Sequence, residues 1–502
     1  LHRFMGRYAD LIIHFFNGDN WHNLADLSLK TGYSKSTIWR DLDFLETVLP
    51  VGWQFEKDDA RGIFLKKPEN GTLENLLGQI RDQNEYLQIL KLIILNNGVD
   101  ISQITENVHI SRSTAYRHLE KIKELIRESG ISLSVSPFKL EGDEKVTRHF
   151  ILGFLQFMDF DPGLDNMIDI KNFQSKLLEL GSKYSVTFKT GALDRLTLYL
   201  FISNLRVSMG YFVKFPLTIT INNIESRFMD FAKELVQFMV KCPNRELQLQ
   251  EIYSFVIYLM SEEKPPNRSE YIKYARSILR TKRGLPVVET FNILEEHIGF
   301  NLSEDELIVY YWFQKIKRML IETEFGIGMG SGFLLQYVRY FESNPFYKTV
   351  EEIVTKICIE NDLNPNEHDI LDFFLLVQTS LLRKKNRFSI KTALISRTNI
   401  EKNYVESVLK YHFCHALNIT KTDAFTNDYR QKYDEYDLII TTDSKVSDFN
   451  HVPSIIISAI PLLSEINKIR EFIVEKFAEL YGIDSSIIYP FTDFNHNVEM
   501  ND

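Results

Sequence analysis

A nine-residue motif occurs twice in this chain. Ser34–Leu42 reads SKSTIWRDL and Ser111–Leu119 reads SRSTAYRHL, identical at five of the nine positions and 77 residues apart. Repetition at this spacing constrains the fold to two small units in tandem. The flanks repeat too. An apolar helical stretch (Tyr8–Phe16, then Tyr86–Leu95) precedes a short amphipathic segment, which breaks at Gly32 in one copy and near His109 in the other. Each motif opens on a serine whose hydroxyl can accept a hydrogen bond from a free first-turn amide, so Ser34 and Ser111 are expected helix caps. Apolar residues then recur on one face, Ile38, Leu42 and Leu45 in the first copy and Ala115, Leu119 and Ile122 in the second. Trp53–Phe64 and Ile131–Leu140 follow with strand-like alternation around turn residues. Three helices and a hairpin, used twice, predict two winged helix-turn-helix domains.

At 502 residues the chain is long enough for roughly three to five domains. Its 44% hydrophobic and 25% charged content is that of folded protein, and no apolar run reaches the roughly 18 residues of a membrane span. The first residues lack the basic start and cleavage pattern of a secretory leader. The three cysteines, Cys242, Cys358 and Cys414, stand far apart. That spacing argues against a disulfide framework or a structural zinc site and for a reducing, cytoplasmic setting. The net charge of −10 opposes general adhesion to nucleic acid, so any DNA contact has to come from local features.

The remaining chain divides by period. From about residue 150 to 385, apolar helical stretches dominate: Leu193–Val207, Ile252–Met260, Leu307–Leu320 and Ile370–Leu382. A polar break at Ser261–Arg268 parts them into halves. From Ser389, β-rich runs (Ile390–Ser396, Leu438–Thr442, Ile455–Ile460) alternate with helices at Glu401–Tyr411 and Leu462–Leu480, which predicts a small α/β domain with a mostly parallel sheet. The tail, Ile483–Asp502, reads as irregular. The expected fold is a mostly α multidomain chain: winged helix-turn-helix domains at 1–70 and 71–148, helical domains at 149–268 and 269–387, and an α/β domain at 388–502.

In a helix-turn-helix the third helix enters the major groove by its N-terminal residues. With the apolar face inward, Lys35, Ser36, Thr37 and Arg40 project outward in the first copy, and Arg112, Ser113, Thr114 and Arg117 in the second. Arginine suits paired bonds to guanine, and the hydroxyls suit phosphates or bases. Lys121 extends the second set, and Ser111–Arg127 carries five basic against two acidic side chains. The first copy is less basic, but its hairpin adds Lys57, Arg61, Lys66 and Lys67, placed to follow a phosphate backbone. Residues 1–150 hold 19 basic and 21 acidic side chains, so DNA affinity should be modest and salt-sensitive.

Catalytic signals are absent. There is no phosphate-binding Walker loop, no serine nucleophile elbow and no HExxH pair, so no enzyme activity and no cofactor are expected. Gly326–Gly332 has neither a preceding strand nor a following lysine and reads as an interhelical connection. His412 and His415 beside Cys414 read as a helix end rather than a metal site, and Tyr310–Phe313 as core or interface.

This layout resembles the Mga and AtxA virulence regulators of Gram-positive bacteria. The resemblance lies chiefly in SKSTIWRDL, in IFLKKP at Ile63–Pro68 and in ISNLRVSMG at Ile202–Gly210. It implies two phosphotransferase-system regulation domains, a C-terminal domain similar to enzyme IIB, activation of transcription and homo-oligomerisation. It also implies partnership with phosphotransferase carrier proteins through phosphorylated histidines. The chain departs from that pattern, because the expected histidine positions fall near Asp194, Tyr258, Leu307 and Leu376. His297 and His368 lie elsewhere. The first strand of the tail runs into Ser396-Arg397-Thr398-Asn399, without the cysteine nucleophile of enzyme IIB. Phosphotransferase control through these positions is therefore expected to be weak or absent, and the tail to serve dimer contact or partner binding. The expected partners are double-stranded DNA and a second copy of the chain. The competing readings are a phosphotransferase-system phosphocarrier or enzyme component and a protein-interaction scaffold.

Overall fold

The computed structural model describes residues 6–16, 21–68, 71–163, 169–188, 191–215, 226–262, 268–279, 284–298, 301–327, 341, 344–385, 388–396, 398–422, 433–442 and 451–481. The glycines from Gly328 to Gly332, most of the Ser261–Arg268 break, Arg397 and the Ile483–Asp502 tail lie outside them. The chain forms two compact units. One comprises Leu1–Tyr274, Gln314–Lys348 and Val354–Leu371, the other Ala275–Phe313, Thr349–Ile353 and Asp372–Asp502.

The first unit opens with α1 (Gly6–Phe16), α2 (Leu24–Thr31), α3 (Lys35–Val48) and the strands β1 (Gln54–Asp58) and β2 (Gly62–Lys66). The pattern repeats as α5 (Glu85–Leu95), α6 (Ile101–Val108), α7 (Arg112–Glu128), β3 (Ser132–Leu133) and β4 (Leu140–Glu141), with α4 (Leu73–Asp82) between the copies. Even minor features recur 77 residues on. Asn23 and Asp100 cap the second helices, and Gly32 and His109 end them in left-handed conformation at φ 73° and 56°. His22 and Val99 each form a bridge to the second arm of their hairpin, at Ile63 and Phe138. Glycine adopts the left-handed turn without a Cβ penalty, whereas His109 bears it. Gly62 is fixed by crowding as well: its φ is 100°, and a Cβ there would lie 2.3 Å from the His22 carbonyl oxygen. The first wing alternates, with Phe55, Ile63 and Leu65 inward and Gln54, Glu56, Phe64 and Lys66 on the other face, while Lys57, opposite Ile63, is exposed at the hairpin end.

One apolar core runs through both winged domains into the helices that follow, from Leu11 through Leu119 to Leu259. Those helices are α8 (Glu144–Phe157), α9 (Ile170–Tyr184), α10 (Ala192–Ser208), α11 (Ser226–Met239) and α12 (Arg245–Glu262). At their centre lies a buried ionic cluster. Arg148 of α8 meets Glu251 of α12 through two bonds of 2.6 and 2.8 Å and Glu144 at 2.9 Å, and Arg206 of α10 reaches Glu144 at 2.7 and 2.9 Å. Burial opposes the Arg148 charge, but Glu251 more than compensates and the group stays ionised.

Further along the chain come α13 (Arg268–Ile278), α14 (Leu285–Ile298), α15 (Glu306–Phe325), α16 (Pro345–Glu360) and α17 (Glu367–Lys385). In the second unit Trp312 is fully buried against Phe373, with ring centroids 4.2 Å apart, and Tyr310 and Phe313 are buried too. Only Tyr311 of that aromatic run is exposed. The unit ends in a sheet of β5 (Ile390–Ile395), β6 (Leu417–Thr422), β7 (Leu438–Thr441) and β8 (Ser454–Ile456), all parallel, in the order β6-β5-β7-β8. Ile390 and Leu394 face one apolar cluster, with α18 (Asn399–Phe413) and α19 (Leu463–Tyr481), while Ala393 and Ile395 face another around Tyr433. β6 was not anticipated from the sequence. Only its Leu417 is buried, so this edge strand lacks an apolar run. β8 is shorter than the apolar run Ile455–Ile460 suggests, and Ile460 stays exposed.

Two outcomes follow from the buried polar groups. Arg148→Met leaves Glu144 and Glu251 without their principal counter-charge and should cost about 3–5 kcal/mol of unfolding free energy, read from urea midpoints. His149 donates through Nδ1 to the Lys145 carbonyl oxygen at 2.7 Å, and burial pushes its imidazole down to about 4. An unfolded imidazole titrates near 6.5. Its contribution is therefore complete above about pH 6.5 and is lost as pH falls towards 4, where the unfolded chain binds a proton that the folded chain refuses. The loss should be on the order of 3 kcal/mol and should disappear from the pH profile of His149→Leu.

Candidate nucleic-acid interface

The two recognition helices, α3 and α7, are built alike. The Ser34 hydroxyl accepts from the Thr37 amide at 3.2 Å, and Ser111 accepts from Thr114 at the same distance. The hydroxyls of Ser36 and Thr37 cluster on Ser34 at 3.0 and 2.8 Å, and those of Ser113 and Thr114 on Ser111 at 2.9 Å each. Exposure agrees at all nine repeated positions. The serines, Lys35/Arg112, Trp39/Tyr116 and Arg40/Arg117 are exposed; Thr37/Thr114 are half-buried; Ile38/Ala115, Asp41/His118 and Leu42/Leu119 are buried. A helical period forces this division, since the residues exposed at i, i+1, i+4 and i+5 share one side.

Position 41/118 fixes each helix to the first helix of its own domain. Arg7 of α1 donates through its terminal nitrogen to Asp41 Oδ1 at 2.7 Å, and Arg7 Nε also contacts Asp41 Oδ2. In the second domain donor and acceptor change places: His118 Nε2 meets Glu85 of α5 at 2.6 Å. Burial pushes the His118 imidazole below its usual range, while Glu85 pulls it back up. Tyr86 packs edge-on against that ring at 3.9 Å, and its hydroxyl accepts from Lys121 at 2.6 Å.

The candidate DNA-contacting residues differ in freedom. Lys35, Arg40, Arg112 and Arg117 are exposed and make no hydrogen bond or ion pair among the described residues. Ser36, Thr37, Ser113 and Thr114 are tied into the caps, and Lys121 is held by Tyr86. The wing cations are internally matched. Lys57 pairs with Glu46 at 2.8 Å and lies over Trp39; Arg61 pairs with Asp58 at 3.1 Å and stacks over Trp21 at 4.2 Å; Lys66 pairs with Glu56 at 3.0 Å. Among these candidates, the cations without a hydrogen bond or ion pair among the described residues are those at the starts of the two recognition helices. Sequence reading did not single out Trp39, Tyr116 or the anchoring residues Arg7, Asp41, Glu85 and His118. The one signal for the anchors was that position 41/118 interrupts an otherwise conservative repeat with Asp against His.

At the positions considered for phosphorylation, Asp194 is exposed and accepts from Gln174 at 3.0 Å, Tyr258 is buried and stacked on Tyr199, and Leu307 and Leu376 are half-buried. His297 is exposed, with Nδ1 on the Ile293 carbonyl, and His368 is half-buried. Ser396, directly after β5, is buried. No group of three or more metal-ligating side chains converges among the described residues, and no described helix is long and apolar enough to cross a membrane.

Two tandem helix-turn-helix repeats with hairpins thus precede a helical region and a parallel sheet with flanking helices. Residues 69–155 match the Mga helix-turn-helix domain, a span that contains α5–α7 and the second wing. The chain is 21% identical over 482 residues to the anthrax toxin expression trans-acting positive regulator of Bacillus anthracis, covering 92% of this chain and 97% of that one. It is 19% identical over 471 residues to the capsule synthesis positive regulator AcpB of the same organism, covering 91% and 95%. It is 20% identical over 322 residues to the capsule synthesis positive regulator AcpA, covering 61% of this chain and 64% of that protein. Similarity to the first two of these positive regulators thus extends along nearly the whole chain, and similarity to the Mga helix-turn-helix domain over residues 69–155.

The two anchors make a direct energetic test. In a double-mutant cycle of Arg7→Met and Asp41→Asn, the residues should couple by roughly 0.5–3 kcal/mol in urea unfolding. Asp41→Asn alone should be destabilising, because it leaves Arg7 without its counter-charge. An additive cycle would show that the pair does not fix α3.

Proposed function

We infer that this chain is a DNA-binding transcription regulator that acts positively on its target genes. It would place α3 and α7 in successive stretches of major groove. The observation that carries this reading is the pair of recognition helices with matching exposure, whose outward cations, Lys35, Arg40, Arg112 and Arg117, lack ion pairs among the described residues while the wing cations are matched. The names of the relatives, positive regulators of toxin and capsule synthesis, support activation and a role in virulence. An acidic protein can still bind DNA if several local contacts act together, since linked domains raise one another's effective concentration.

Arg40 and Arg117 would read bases, with Lys35 and Arg112 on phosphates or neighbouring bases. The capped hydroxyls and the wing side chains Lys57 and Arg61 would position the backbone. The helical regions at 149–268 and 269–387 would act as regulation domains, and 388–502 as an enzyme IIB-like domain without enzyme IIB chemistry. Ile400, Tyr404 and Tyr411 lie along one side of α18 and are exposed, which supports a role for that domain in self-association. Exchange with phosphotransferase carrier proteins would be weak, since Asp194, Tyr258, Leu307 and Leu376 offer no imidazole. The protein would work in the cytoplasm, where its DNA is.

The test is a mobility-shift measurement on duplexes selected by the full chain. Arg40→Ala and Arg117→Ala should each weaken specific binding about 5- to 150-fold, while Lys57→Ala, a phosphate contact already paired with Glu46, should weaken it less than either. Binding should fall steeply between 50 and 200 mM salt. Unchanged binding in both arginine variants would refute this use of the helices. Stoichiometric phosphate transfer without any duplex binding would favour a phosphocarrier.

A further inference from the structure

Trp39 and Tyr116 occupy the same position in the two repeats, and each leaves a large aromatic surface in water, 39% and 51% exposed. Neither is needed to close the apolar core, which on these helices is made by Ile38, Leu42 and Leu45 and by Ala115, Leu119 and Ile122. Their neighbours on the exposed side are polar: Lys35, Ser36, Arg40 and Asp43 around Trp39, and Arg112, Ser113, Arg117 and Glu120 around Tyr116. An aromatic ring in the middle of a polar, solvated stripe led by basic residues, twice, fits a ligand with an apolar spot inside a hydrogen-bonding surface.

Duplex DNA has one such spot in the major groove. Its base edges are hydrogen-bonding groups except for the C5 methyl of thymine, which rewards apolar contact. Arginine, lysine and serine can recognise guanine, adenine or phosphate, but they gain little from a methyl group. The rings are set for the task in different ways. Lys57 lies 5.3 Å over the Trp39 ring and ties the indole to its own wing. The Tyr116 hydroxyl makes no hydrogen bond among the described residues, so the phenol can bring its ring edge to a methyl and its hydroxyl to a neighbouring acceptor.

We propose that Trp39 and Tyr116 are specificity-determining residues that read thymine methyl groups, each beside the base pairs contacted by Arg40 or Arg117. This rests on α3 and α7 facing the groove. Preferred sites then carry a thymine next to each arginine-contacted guanine, and the two recognition helices share one readout scheme.

The experiment removes the methyl and nothing else. Duplexes are selected from a random pool by the full chain, and each thymine is replaced singly by deoxyuridine, which keeps the hydrogen-bonding edge. Loss of one methyl contact should weaken wild-type binding about fourfold at a thymine under Trp39 and at another under Tyr116. Trp39→Ala should abolish the first penalty and keep the second, and Tyr116→Ala the reverse. Trp39→Leu and Tyr116→Phe retain apolar surface and should keep both, which guards against a folding defect in the alanine variants. Arg40→Ala and Arg117→Ala should weaken binding while leaving the penalties in place. Penalties that are absent, or the same in wild type and both alanine variants, overturn this proposal alone. Failure of the wild-type chain to select any duplex overturns the groove-facing reading and this proposal with it.

Discussion

Each recognition helix is tied to the first helix of its own domain by a part-buried polar contact from its buried anchor, Asp41 to Arg7 and His118 to Glu85. The apolar residues give α3 and α7 an inner face, but apolar packing is non-directional and resists small rotations weakly. A hydrogen-bonded pair of charged or polar groups has a narrow geometry and a large cost of separation once buried. The contact therefore sets the rotation of the helix about its axis. Rotation in turn decides that Arg40 and Arg117, one residue before the anchor, face outward.

The same economy continues beyond the winged domains. Helix α8 begins three residues after β4, and its Glu144 and Arg148 meet Arg206 and Glu251 of two other helices. The first segment after the second wing is thereby fastened by ionic contacts, inside an apolar core that is continuous from the first domain onward.

Much of this organisation was legible in the sequence, because it is written as periodicity. The duplicated motif, its serine caps, the apolar faces of α3 and α7 and the wing alternation are local patterns, and the structure follows them closely. What escaped has a common cause. β6 is a polar edge strand whose pairing with β5 depends on a partner 27 residues away, and no local pattern encodes that. The anchoring pairs join positions more than thirty residues apart. The matching of wing cations with Glu46, Asp58 and Glu56 appears only when the hairpin is closed. Charge counting along the chain therefore credited Lys57, Arg61 and Lys66 with a freedom that folding removes.

The opposite polarity of the two anchors bears on how a chain with near-duplicate neighbouring modules reaches the right assembly. Alike segments invite exchange, in which the leading helix of one module docks on the trailing helix of the other. Such a crossover would press the Glu85 carboxylate against that of Asp41, two acceptors with no donor between them, and would take the Arg7 guanidinium from its counter-charge and set it beside the His118 ring. The correct arrangement alone satisfies both, and the reversal acts as a key that lets each module find its own leading helix during folding.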